Sequence, residues 1–467
     1  MNKLLLSGGL GLCLVLSACG GSGDSEKPDE TSRVFDPFPS TYTAYPSGAT
    51  LITGATVLDG KGGLIEGGNV LIEGGKITAV GADVTAPEGA ATINAAGKWV
   101  TPGIIDNHSH LGAYPSPGVE AHGDGNEISG PVTAEVWVEH SVWPQDPGFT
   151  RALAGGITSL QILPGSANLF GGRGVVLKNV PARTVQAMKF PGAPHTLKMA
   201  CGENPKRVYG YGRGAYPGGA PYSRMGNVAG YRTAWIQARD YKKKWDAFIN
   251  GEGDEPARDL ELETLAGALS GDILVHMHCY RADEMALILD LSKEFGYKVA
   301  SFHHAVEAYK IADKLAEYGT CSSMWADWWG FKMEAYDGIR ENIPMVHNAG
   351  ACAIVHSDSE VGIQRLNQEA AKAWSDGKRA GIDIPIEVAW QWLSLNPAKS
   401  LGIDARTGSL EPGKMADVVV WSANPFSVYA QAEKVYIDGA LMYDREDPAL
   451  QPVMDFELGQ PGEGNRK

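Results

Sequence analysis

Thr101-Pro102-Gly103-Ile104-Ile105-Asp106-Asn107-His108-Ser109-His110 reads as an apolar strand that ends in a His-x-His pair. Side chains two apart in an extended segment share a face, so both imidazoles point the same way. Two imidazoles facing one point suit a borderline divalent ion such as zinc. An isolated His-x-His pair carries little weight. One set directly behind a buried apolar run opened by Pro-Gly carries much more.

Three further stretches extend the pattern. Leu274-Val275-His276-Met277-His278 again puts two histidines on one face. Ser301-Phe302-His303-His304 sets two side by side, and strand alternation lets only one turn inward easily. Ile354-Val355-His356-Ser357-Asp358 ends in a carboxylate, placed either as a turn former or for metal and proton work. Each stretch alone has an ordinary explanation, a hydrogen-bonded residue at a strand end. Together, in this order and on successive strand–helix units, they point to one site.

Those units run from about 99 to 408. Apolar runs of strand length are expected at Ile104–His108, Thr158–Leu163, Val175–Asn179, Thr196–Cys201, Ile273–His276, Val299–His303, Thr320–Met324 and Ala353–His356. Amphipathic helices alternate with them. In the helix starting near Ala305, residues Ala308, Ile311, Ala312 and Leu315 give one buried face. Asp283–Phe295, Gly362–Trp374 and Ile386–Leu395 read as further helices. The repetition predicts an α/β fold, a (β/α)8 TIM barrel, whose chemistry gathers at the C-terminal ends of the strands. On either side, residues 49–98 and 409–445 consist of short β segments and Gly-rich turns. They are expected to form one small β-sandwich from the two ends of the barrel.

The 467 residues, 43% hydrophobic and 20% charged, suit a globular chain with a large core. A formal charge of −15 argues against a nucleic-acid partner, which would require a basic face.

The His-x-His, His-x-His, His and Asp order resembles the amidohydrolase superfamily of metal-dependent hydrolases. The flanks agree: Thr101–Asp106 before the first histidines, then Asn396-Pro397-Ala398-Lys399 and Gly408–Asp417 on the return to the sandwich. Through His276-Met277-His278 and His304-Ala305-Val306-Glu307 the chain looks nearest the imidazolonepropionase-like and prolidase-like branch. The resemblance implies divalent metal, typically two zinc ions. His108 and His110 would hold one with Asp358; His276 and His304 would hold the other, with His278 open as the alternative to His276. Lys198, in Thr196-Leu197-Lys198-Met199-Ala200, would bridge them as a carbamate, and Glu203 is the competing bridge. The activity implied is hydrolysis of a C–N bond in a small amide, cyclic amide or dipeptide by metal-activated hydroxide, with Asp358 moving the proton. A single-metal deaminase of the same superfamily is the alternative. A catalytically inactive ligand-binding surface protein is a further one, opposed by the filling of every expected ligand position. Arg207 and Arg281 are candidate clamps for a substrate carboxylate, and Trp325, with Trp328 and Trp329, a candidate pocket wall.

At the N-terminus, Lys3 precedes an apolar run, Leu4–Leu16, too short to span a bilayer as a mature helix. It reads as a signal segment, and Leu16-Ser17-Ala18-Cys19 resembles a bacterial lipoprotein cleavage box. Residues 1–18 would be removed, Cys19 would carry the lipid anchor, and 19–48 would form a flexible tether. Gly20 resembles the pattern sorted to the outer membrane. The expected location is therefore exported, membrane-anchored on the periplasmic side; residues 446–467 read as a tail. Export permits disulfides among Cys201, Cys279, Cys321 and Cys352. Their apolar, strand-like surroundings instead predict buried free thiols.

Overall fold

Two sheets organise the chain in a computed structural model that describes residues 36–116, 118–211 and 219–451. Residues 1–35, with the leader and Cys19, and most of the tail (452–467) lie outside these.

The first sheet opens with β1 (Thr50–Leu58), β2 (Leu64–Glu73), β3 (Lys76–Gly81), β4 (Ala91–Asn94) and β5 (Trp99–Pro102). Gly74 and Gly75, with φ of +56° and +76°, make the tight turn between β2 and β3. After β5 the chain passes straight into the barrel. Gly103 is required there, because a Cβ would lie 2.1 Å from Thr158 Oγ1.

The barrel strands are β6 (Ile104–Ser109), β7 (Ile157–Ile162), β8 (Phe170–Lys178), β9 (His195–Ala200), β10 (Ile273–Cys279), β11 (Val299–His304), β12 (Cys321–Met324) and β13 (Ala353–Val355). All eight stand where the apolar runs predict, hydrogen-bonded in chain order. One departs from the expected design: β8 pairs antiparallel with both β7 and β9. The connections 163–169 and 179–194 carry no helix, and antiparallel neighbours need none. The sheet nearly closes. Asp358 N donates to His108 O at 3.0 Å, and the Ser357 hydroxyl and N–H donate to the Asp106 carboxylate, joining the first strand to the last.

The chain then returns to the first sheet as β14 (Val418–Trp421), β15 (Ala432–Ile437) and β16 (Ala440–Asp444). β14 lies antiparallel to β5, giving the order β16-β15-β14-β5-β1-β2-β3 with β4 on β1. The two ends of the chain thus share one sheet, as expected. The pairing describes a single sheet rather than two separate layers. It bends back on itself: Ile77 N donates to Lys414 O and Gly413 N to Ile77 O, just ahead of β14. Its inner face, including Ile52, Val70, Ile72, Val100, Val418 and Val420, forms its own core.

Two expectations are corrected. The cysteines are disulfide-bonded, Cys201 to Cys279 and Cys321 to Cys352. Adjacent strands bring their Cα atoms to 5.2 and 4.4 Å, within bonding reach, which their apolar surroundings do not prevent. Residues 36–45, expected within a flexible tether, lie along the body: Lys189 Nζ meets Asp36 at 2.7 Å, and Tyr45 Oη donates to Pro181 O.

Candidate active site

The C-terminal ends of β6, β10, β11 and β13 bring the predicted histidines and Asp358 together. His108 Nε2 lies 3.3 Å from His110 Nε2 and 3.4 Å from Asp358 Oδ1, which is itself 3.1 Å from His110 Nε2. These donor atoms lie within 4.8 Å of one another, a separation one ion can span. A second such group shares His108 and adds His304 and His356. His304 Nδ1 is 3.0 Å from His356 Nε2 and 3.8 Å from Asp358 Oδ2.

Two adjacent histidines enter the barrel, against the expectation of one. His303 faces inward on β11, in register with His278. His304 takes φ +71° and Ala305 +37°, so the chain leaves the strand and the alternation ends there. Asp358 is likewise left-handed at φ +49°. Such conformations cost energy in residues with a Cβ and cluster at functional sites.

His276 and His278 share a face but differ in depth. His276 Nδ1 is 2.8 Å from His303 Nε2, and its ring does not line the open cavity. His278 lines that cavity, and neither of its ring nitrogens has a hydrogen-bond partner.

Burial dominates the electrostatics. It holds the His108, His278, His303 and His304 rings well below ordinary imidazole, with nearby Lys198 adding to the effect. His276 falls to about 3 and His356 to about 4, chiefly for the same reason. Burial would raise Asp358, but the His110 hydrogen bond and the neighbouring charges outweigh it and hold the carboxyl below its usual range. Lys198 is fully buried on β9, in register with His276, and donates to Pro164 O at 3.1 Å. Burial lowers its pKa to about 8.

Above the histidines opens a cavity of about 480 Å³, lined by His110, His278, His304 and Asp358 together with Tyr114, Asn126, Arg207 and Tyr280. The remaining predicted residues divide. Arg207 is exposed on its rim. Trp325 stacks on His304 with ring centroids 4.3 Å apart, while its Nε1 donates to Ser357 O. Glu203 lines the mouth but faces Lys332 at 3.6 Å rather than the histidines. Arg281 is not part of the site: its guanidinium is held by Asp283 at 2.8 Å, at the start of the helix Ala282–Phe295.

The residues fit a divalent ion. Buried imidazoles held neutral, unpartnered nitrogens on His278 and His356, and an ionised carboxylate are donors that zinc-like ions take. His303 and His356 were not assigned from sequence. His356 had a signal: it precedes Asp358 by two residues, the same-face spacing that singles out His108 and His110.

A model of the amidohydrolase family matches residues 99–442. The amidohydrolase tasK of Hapsidospora irregularis is 33% identical over 386 residues, 78% of this chain, which spans only 38% of that relative's length. An imidazolonepropionase from Mesorhizobium japonicum is 23% identical over 75% of this chain and 83% of its own. The crystal structure of an amidohydrolase from Thermotoga maritima superposes with a TM-score of 0.77 at 36% identity, covering 85% of this chain and all of that one. With the barrel, the histidine cluster and these matches in agreement, the chain belongs to the amidohydrolase family.

Proposed function

We propose that the protein is a divalent-metal hydrolase that cleaves a C–N bond in a small amide, cyclic amide or dipeptide. The observation that carries this reading is the convergence of three imidazoles, His278 among them with both nitrogens unpartnered, and an ionised carboxylate on one cavity. In this reading His108, His110 and Asp358 hold one ion. His278 and His304 hold a second, with His356 beside them. We take His278 over the expected His276 because His278 lines the open cavity and His276 does not. Lys198, whose pKa burial lowers to about 8, is suited to carbamylation: the ammonium loses one proton, and the free amine adds to carbon dioxide and releases a second, which leaves an anionic carbamate in place of a buried cation. Glu203 is the weaker bridge because it is turned toward Lys332.

A divalent ion held there would lower the pKa of water and polarise the scissile carbonyl. The chain's own groups do the rest. Asp358, ionised and facing the cavity, takes a proton from the attacking water and returns it to the leaving nitrogen. Trp325 packs over His304 and keeps that side dry. Arg207 on the rim is placed to meet a substrate carboxylate.

We also place the protein outside the cytoplasm, anchored through Cys19. The paired cysteines support an oxidising compartment.

The test is a hydrolysis panel of dipeptides, cyclic amides and simple amides, run with metal analysis. Cleavage abolished by chelation and restored by zinc supports the proposal. Ammonia release from an amino-substituted ring with one ion per chain would point instead to the single-metal deaminase. A folded, metal-loaded protein inert on all classes would refute the hydrolase.

A further inference from the structure

His303 belongs to neither ion-binding group, yet it sits between two histidines. Its Nδ1 is 2.8 Å from His108 Nδ1, and its Nε2 is 2.8 Å from His276 Nδ1. All three rings are fully buried. Each contact between ring nitrogens requires one proton, and a neutral imidazole has only one to give.

The direction of the run follows from its outer end. His108 Nε2 faces His110 and Asp358. A nitrogen that binds an ion carries no proton, so the proton of His108 must sit on Nδ1 and be donated to His303 Nδ1. His303 is then protonated on Nε2 and donates to His276 Nδ1. His276 keeps its own proton on Nε2, which makes no hydrogen bond in the structure. A carboxylate or carbonyl usually takes the place behind a ligating histidine and fixes its tautomer. The buried carboxylate nearby, Asp106, is occupied by Ser357 and the His108 backbone.

We infer that His303, backed by His276, is a positioning residue that fixes the tautomer and ring orientation of His108. The inference rests on the reading of His108 as a ligand. It assigns work to both histidines that the ion-binding groups leave out.

Zinc affinity of the full-length protein, measured by chelator competition, tests it. His108→Ala should lose zinc at its group. His303→Ala should weaken zinc by about 10–100-fold, the usual cost of losing such a partner, and His303→Asn should recover part of the loss. The rise in Tm on adding zinc should shrink in step, which general destabilisation would not produce. If His108→Ala loses zinc while His303→Ala binds like the unaltered protein, the positioning role is overturned. If His108→Ala itself binds normally, the ligand reading beneath it fails instead. Should the His303 variants not fold, ring-nitrogen NMR of the unaltered zinc-loaded protein decides. An exchange-protected Nδ1–H on His108 is expected, and a His108 Nδ1 without a proton would overturn the proposal.

Discussion

His304 and Asp358 hold left-handed backbones at strand ends, and both aim polar groups at one cavity. Alternation along a strand was enough to set His108 and His110 on one face; Asp358 stood out by its place at a strand end and by the family resemblance. Alternation failed for His303 and His304 because it holds only while the chain stays extended, and φ +71° ends it at His304. It could not separate His276 from His278 either, since both obey the same period and differ only in depth. Asp358→Asn should keep much of the bound metal, because an oxygen ligand remains, while kcat falls about 10²–10⁴-fold with the proton transfer lost. A comparable loss of metal and activity, read by elemental analysis beside kinetics, would make Asp358 a ligand only. Lys198→Ala should lose activity that short carboxylic acids partly restore by standing in for the carbamate. Full activity in Lys198→Ala, together with metal loss in Glu203→Ala, would transfer the bridging role to Glu203.

β8 shows where element-level reading stopped. Its position is legible from the apolar run, but hydrophobic pattern carries no direction. The gap between the expected strands, 164–174, did carry a signal, being just short of the dozen or so residues a parallel crossover needs. The disulfides were hidden for a different reason: apolar surroundings suit thiols and disulfides alike, and strand neighbours are invisible in one dimension. The two disulfides sit at opposite ends of their strands. Cys201–Cys279 ties the catalytic ends of β9 and β10, next to His278, whose carbonyl accepts from Cys201 N at 2.8 Å. Cys321–Cys352 ties the starts of β12 and β13. Replacing both Cys201 and Cys279 by Ser should therefore lower zinc affinity and kcat as well as stability. The Cys321/Cys352 pair of replacements should lower stability by about 2–5 kcal/mol with activity retained in the folded fraction. Equal effects on zinc binding from both pairs would show that neither disulfide has a special link to the site.

The sheet shared by the two chain ends is fastened to the barrel by a buried charge cluster. Lys178 Nζ on β8 lies 3.1 Å from both Asp417 and Asp438, and Tyr42 and Thr407 donate to those carboxylates. Removing one member leaves buried charge uncompensated. Lys178→Met should therefore cost about 3–5 kcal/mol of stability in chemical denaturation, where a loss under about 1 kcal/mol would show that water already reaches the cluster. The sequence announced that both ends meet but not what joins them, because Lys178, Asp417 and Asp438 are far apart along the chain. Cys19→Ser should release the protein from the membrane fraction or block its processing, and unchanged fractionation would contradict the proposed lipid anchor.

Elemental analysis of divalent ions per chain decides whether this cavity is a metal site. Two zinc-like ions are expected in the purified protein, and His108→Ala should lose the one it holds with His110 and Asp358. A folded protein that binds no divalent ion, or a His108→Ala variant that retains the full complement, would contradict the metal site.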